Sequence, residues 1–277
     1  MSTTEAPIEE ERVGADQVTR EHLPGERGPV LTALRYLGMP LFLGAVLAGL
    51  YLWVQAQTLG DVERRRLTAD ILLEQTWQHV WLAFVSTAIV LVLAVTLGIV
   101  ATRPGTRKLA PYLVNLGNAG QAIPSLGLLA LLFFLFREIP NLPSTGRVPV
   151  VTALVAYSFL PILRNTMVGL DQVDRFMLEA GRGMGMSNWG VLRRIELPLA
   201  VPVILAGVRT ALVLNVGTAT LAFLFGGGGL GQTIFQGFQL NRDPILVTGA
   251  VLTAVLALFI DYLAGLAEEQ LTPQGLH

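Results

Sequence analysis

The run Gly226-Gly227-Gly228-Gly229-Leu230-Gly231-Gln232-Thr233 satisfies G-x-x-x-x-G-x-T, the spacing of a loop whose backbone N–H groups cradle phosphate. Its chemistry is wrong for that task. Gln232 stands where a lysine must reach the outer phosphates, and no strand precedes the run. The glycines are better suited to turning the chain back between two apolar segments. His22, His79 and His277 lie far apart and cysteine is absent, so no metal site and no thiolate nucleophile is expected. No paired carboxylates and no nucleophile triad stand in a water-accessible segment, so the chain is not expected to be an enzyme. Asp261 is the one acidic residue well inside a hydrophobic run, which weakens any ion-coupled mechanism.

Two sets of polar residues remain. Asn115, Asn118, Gln121 and Ser125 fall at i, i+3, i+6 and i+10 and would form one stripe on a helix. Asn215 and Thr218 form a second polar face, with Gly217 and Thr220 alongside. Amides facing lipid are costly, so both sets should turn toward a bundle interior, where pathway lining and helix-to-helix hydrogen bonding are equal alternatives. Pro124 removes a backbone hydrogen bond and can kink the segment that carries the first set.

The elements that position these residues follow from composition. With 52% hydrophobic and 14% charged residues, and a mean hydropathy of +0.58, the 277-residue chain is too apolar for a soluble domain of its length. A net charge of −1 gives no footprint for nucleic acid. Six stretches are long enough to cross a bilayer as helices: 31–53, 77–101, 111–136, 148–169, 199–224 and 244–266. The expected fold is all-α, a polytopic helical membrane protein of about six transmembrane helices. Residues 1–29 carry many acids and few large apolar groups and are expected to be a disordered tail without a cleavable signal, with a further short tail over 269–277. The span over 30–54 is set apart from a main block over 75–268. Lysine and arginine are concentrated in the segments on the side of both termini, which the positive-inside rule makes cytoplasmic. Arg64-Arg65-Arg66 falls on the other side and runs against that rule. Arg164 and Arg209 are expected at inner span ends, where their side chains can snorkel to the interface. Trp77, Trp81 and Tyr51 are expected interfacial anchors.

One connection, over 170–198, is too polar to span yet carries regular apolar positions. Asp174 can cap a helix from Arg175 to about Gly183, and Ser187 a second helix to Arg194, with a glycine turn between them and Pro198 ending the second. On that second helix Trp189, Leu192 and Ile195 would make an apolar edge beside Arg193 and Arg194, a pattern also compatible with a helix lying on the lipid surface.

Glu179-Ala180-Gly181, then Gly185, then Ile195, Leu197 and Pro198 resemble the spaced EAA signature of ABC importer permeases: EAA, three residues, G, nine residues, I-x-L-P. Gly181 departs from it, since the family usually has alanine there. The segments 121–126, 160–166, 179–186, 196–202, 215–221 and 228–231 are further similar to permeases for glycine betaine, choline, carnitine and related osmoprotectants, with methionine permeases sharing the general motif. The resemblance implies a type I ABC importer permease (MetI-like) core in a bacterial or archaeal inner membrane, with Glu179, Ala180, Gly181, Gly185, Ile195 and Pro198 in a cytoplasmic coupling helix that docks on an ATPase. It also implies a cytoplasmic ATPase dimer that binds the ATP and Mg, an extracytoplasmic substrate-binding protein, and a second permease copy or a paralogue. A secondary transporter or channel without an ATPase is the competing class; it would call for inverted repeats or a mid-span charge pattern, neither of which is evident.

Overall fold

The computed structural model describes residues 29–271, and the tails expected over 1–28 and 272–277 lie outside the described residues. Contacts divide the chain into two compact units, Met1–Phe42 and Leu43–His277. Helix α1, Pro29–Gln55, begins in the first unit and ends in the second. There α2 (Asp61–Arg66) leads into α3 (Ala69–Thr102), a helix of 34 residues that starts earlier than the expected span. A 3-10 turn at Arg107–Leu109 opens α4 (Ala110–Ala122), followed by α5 (Ser125–Arg137) and α6 (Arg147–Asp171).

The expected continuous span over 111–136 is instead two helices bent by 102°. Ile123 and Pro124 are both extended at the break. Proline has no N–H to continue the ladder and its ring pushes the preceding residue out of the helical region. Ser125 therefore begins α5 and is no part of a stripe with Asn115, Asn118 and Gln121. The bent pair still crosses from one end of the bundle to the other. Its start is tied to the end that carries the connection over 170–198 by Arg107–Asp171 (3.1 Å), and α6 begins at the opposite end, where Gly146 N–H donates to Phe225 O (2.6 Å). With α1, α3, α6, the run Asn188–Ala219 and α11 (Asp243–Leu271), this makes six spans.

α6 is the centre. Val90 and Ala94 of α3, Phe159, Ile162 and Leu163 of α6 and Ala211 of the next span form one buried cluster. Lipid offers no hydrophobic drive for helices to meet, so close van der Waals approach must hold them. Gly207 provides it, because a Cβ there would stand 2.7 Å from Asn165 Cβ and 2.9 Å from Pro161 O.

Candidate coupling loop and pathway face

Asp174 accepts from Phe176 N–H (2.8 Å) and caps α7, Arg175–Gly183. The helix ends where Met186 N–H reaches Gly181 O (3.1 Å) and Gly185 N–H reaches Arg182 O (2.9 Å), with Gly185 at φ +82°. This pair of bonds is a Schellman motif, which places a left-handed residue at C′ and so favours glycine. The three-residue gap between Gly181 and Gly185 is the length this closure needs. Ser187 then accepts from Gly190 N–H (3.1 Å) and caps α8, Asn188–Val191.

Pro198 does not end this second helix as expected. A π segment, Leu192–Glu196, carries it directly into α9, Leu197–Ala219, giving one helical run over Asn188–Ala219. Pro198 follows directly on the π segment, whose wider turn lets the helix continue past a residue without an N–H. The apolar edge expected along this segment does not form. Trp189 is 66% exposed, whereas Leu192 is buried with Leu170, Ala200 and Ile204, so the two form no common edge with Ile195. Ile195 packs instead on the motif glycine, and a Cβ on Gly181 would lie 2.7 Å from its Cδ1.

Of the signature residues, Glu179, Ala180, Gly185 and Pro198 are exposed, Gly181 is buried and Ile195 half-buried. The loop thus presents Glu179 and Ala180 outward beside the exposed Phe176 (79%) and Met184 (71%), while Gly181 and Ile195 hold its two helices together. Replacing Gly181 by alanine is expected to be tolerated. The gain in helix propensity, up to about 1 kcal/mol, is offset by a shift of one flexible Ile195 methyl, so thermal stability in detergent should change little or rise slightly.

Sequence reasoning missed the strut under this loop. Arg103, just past α3, forms a two-pronged ion pair with Glu196, one bond being 3.1 Å, and Glu196 is buried. The available signal was an acid inside the I-x-L-P motif and a basic residue ending an apolar span. Arg103, Arg107, Arg175, Glu179, Arg182 and Glu196 surround a cavity of about 400 Å³ between loop and spans.

At the opposite end the glycine run is a turn, with Gly226, Gly228 and Gly229 at positive φ. Gly229 N–H donates to Gln78 Oε1 (3.0 Å), which ties the turn to α3, and His79 Nε2 of α3 lies 2.8 Å from Val216 O of the neighbouring span. The run leads into α10, Gly231–Leu240. Arg64-Arg65-Arg66 lies at this end as well, where Arg242 pairs with buried Glu63 of α2 (3.2 Å). Trp77 and Tyr51 are exposed, whereas Trp81 lies under the Arg147 guanidinium at 4.6 Å.

The pathway candidates separate. Asn115 and Asn118 are exposed on α4; Gln121 donates to Tyr157 O of α6 (3.1 Å). Asn118 accepts from Arg164 (3.0 Å). Asn215 is buried between helices and donates to Thr87 (2.9 Å), while Thr218 is half-buried. Arg209 is not at an inner span end as expected. Arg209 lies mid-way along α9 and makes a bidentate pair with Asp261 (2.6 and 2.8 Å), with Glu268 at 3.5 Å.

Residues 94–272 match the family described as binding-protein-dependent transport system inner membrane component. The chain belongs to that family. It is 42% identical over 205 residues to a glycine betaine/carnitine/choline transport system permease protein of Bacillus subtilis, covering 74% of this chain and 90% of the relative. An osmoprotectant import permease protein of Salmonella typhimurium is 38% identical over 244 residues, 88% and 98% of the two chains. In structure the chain is similar to a methionine ABC transporter in an inward-facing conformation, with a TM-score of 0.65, 25% identity and coverage of 73% of this chain and 96% of that one. It is therefore an inner-membrane permease component of a transport system, and the MetI-like fold expected from the motif is the fold observed.

Proposed function

We propose that this permease is the membrane subunit of an ATP-driven importer for osmoprotectants such as glycine betaine, carnitine or choline. Two copies, or one copy with a paralogue, pair with two cytoplasmic ATPase subunits, which bind the ATP and Mg. An extracytoplasmic binding protein delivers the solute. Both termini and the loop over 170–198 face the cytoplasm, in keeping with the bias of arginine and lysine toward that side.

The observation that carries the coupling role is the exposed surface of Glu179 and Ala180, on a helix closed by the Schellman turn at Gly185. A rigid docking element can transmit the closure of an ATPase dimer to the spans, and the Arg103–Glu196 pair links it to α3. The pairing of Asp261 with Arg209 leaves no free mid-span carboxylate among the described residues to serve as a proton or sodium relay, which disfavours an ion-coupled carrier.

The testing experiment is uptake of radiolabelled betaine, choline, carnitine, proline and methionine into proteoliposomes holding the complete complex and its binding protein. Uptake of a quaternary ammonium solute that needs ATP is expected. Uptake of methionine alone would move the cargo to amino acids, and uptake without ATP would overturn the importer reading.

A further inference from the structure

Arg164 stands apart from the other arginines built into the bundle. Arg103 is paired with Glu196, Arg107 with Asp171 and Arg209 with Asp261 and Glu268. Arg164 is exposed on a spanning helix, and its recorded partner is a neutral amide, Asn118 Oδ1 at 3.0 Å. A charge at such depth is costly without a counter-ion and marks a functional position by default.

Snorkelling does not account for it. Gly117 lies against Leu160 and Gln121 reaches Tyr157 O, so Asn118 is level with α6 residues between 157 and 160. Arg164 sits about one helical turn closer to the coupling-loop end than that. Its side chain therefore points away from the nearer end and toward the bilayer middle, as Cβ vectors directed to a helix N-terminus require. Its Cα is already about 10 Å from Asp171 at the end of α6.

A second identical copy does not supply the missing anion from its described spans. Asp261 is the single acid within the six hydrophobic runs, and Arg209 occupies it. The amide geometry points the same way. Because Asn118 Oδ1 accepts from Arg164, its Nδ2 group is left as a second donor beside the guanidinium, and Asn115 lies one turn away on the same exposed face. A guanidinium and an amide N–H₂ side by side form a fork that suits a carboxylate.

We infer that Arg164 and Asn118 form a transit subsite for the carboxylate of a zwitterionic solute on the pathway face of this permease. The inference rests on the osmoprotectant reading above and adds a distinction within it, since glycine betaine and carnitine carry a carboxylate and choline does not.

The test is uptake of radiolabelled glycine betaine and choline by the complete reconstituted complex carrying wild-type, Arg164→Gln, Arg164→Lys or Asn118→Asp permease. Arg164→Gln should lower glycine betaine uptake about tenfold or more, as expected for a lost charge-assisted hydrogen bond, and leave choline uptake within about twofold. Arg164→Lys should recover most of the loss. Asn118→Asp places an internal carboxylate against Arg164, supports the fold, and should block glycine betaine while sparing choline. If Arg164→Gln prevents assembly, Asn118→Asp decides alone. Equal loss of both solutes in an assembled complex, or unchanged glycine betaine uptake, overturns the subsite, as does a wild type that carries only choline. If glycine betaine is the only cargo, equal loss in the Gln and Lys variants overturns it. A wild type that carries neither solute overturns the osmoprotectant reading instead.

Discussion

Gly185→Val is expected to abolish solute uptake while ATP hydrolysis and membrane insertion persist. Residue 185 adopts φ +82°, a left-handed conformation that costs an ordinary L-residue about 1–2 kcal/mol and a β-branched residue more. Valine must leave that conformation, and the bonds from Met186 to Gly181 and from Gly185 to Arg182 then cannot both form. Losing them frees α7 from α8 and withdraws Glu179 and Ala180 from a fixed position. Gly185 is exposed and no atom stands within 4 Å of a Cβ built there, so the damage is to backbone conformation rather than to packing. Gly185→Ala should therefore be milder, costing about 1 kcal/mol locally and slowing uptake without ending it. Uptake and phosphate release measured on the same proteoliposomes separate coupling from catalysis, and size-exclusion elution reports assembly. Wild-type uptake by the valine variant would show that coupling does not pass through this turn. Glu179→Arg tests the docking surface itself: it leaves the turn intact, reverses the exposed charge, and should weaken co-purification with the ATPase.

Arg103→Ala is expected to be the most destabilising of the charge substitutions. It leaves the Glu196 carboxylate, with a side chain only 5% exposed, without its ion-pair partner at the junction of loop and span. Breaking a fully buried pair costs about 3–5 kcal/mol; with Arg103 itself 34% exposed, solvent screening reduces the expected loss to about 2 kcal/mol. Thermal unfolding of the purified permease in detergent should show a clear fall in Tm. Glu196→Gln should cost less, because Arg103 can turn toward water. A double-mutant cycle with Arg103→Leu and Glu196→Leu gives the pairwise energy, and the double variant should recover much of the stability lost by either single change. Additive losses would mean that the two side chains act independently and that the strut is not an energetic link.

The coupling loop was legible because its signals are local. A side chain two residues before a backbone N–H it can cap, and a glycine four residues after the last well-packed helical position, act through bonds spanning a few residues. Asp174, Ser187 and Gly185 therefore took the expected parts. Pro198 misled because the rule that proline stops a helix fails where the turn is widened. Here the π segment Leu192–Glu196 takes up the change in register, and the helix runs on through Pro198 into α9. Leu192 is buried in the core while Trp189 stays outside, so the apolar edge read from their spacing does not form. On the third span, Pro124 was visible as a kink, but the size of a bend is decided by what packs on each half. Leu128 and Leu129 of α5 are buried against α3 and α6, whereas Asn115 and Asn118 of α4 remain exposed.

The sequence by itself determined that this chain belongs in a membrane, roughly where its apolar runs lie, and that one polar connection holds a glycine-closed turn bearing an importer signature. Those properties depend on hydropathy over about twenty residues and on hydrogen bonds between near neighbours. Only the tertiary structure decided how the charges are shared. Arg103 and Glu196 lie 93 positions apart, Arg209 and Asp261 52, and Arg164 and Asn118 46. In sequence each was a lone polar residue beside an apolar run. In the bundle, where water cannot solvate them, the pairing that packing permits makes one a strut, one an internal salt bridge, and leaves Arg164 with an amide and an open face.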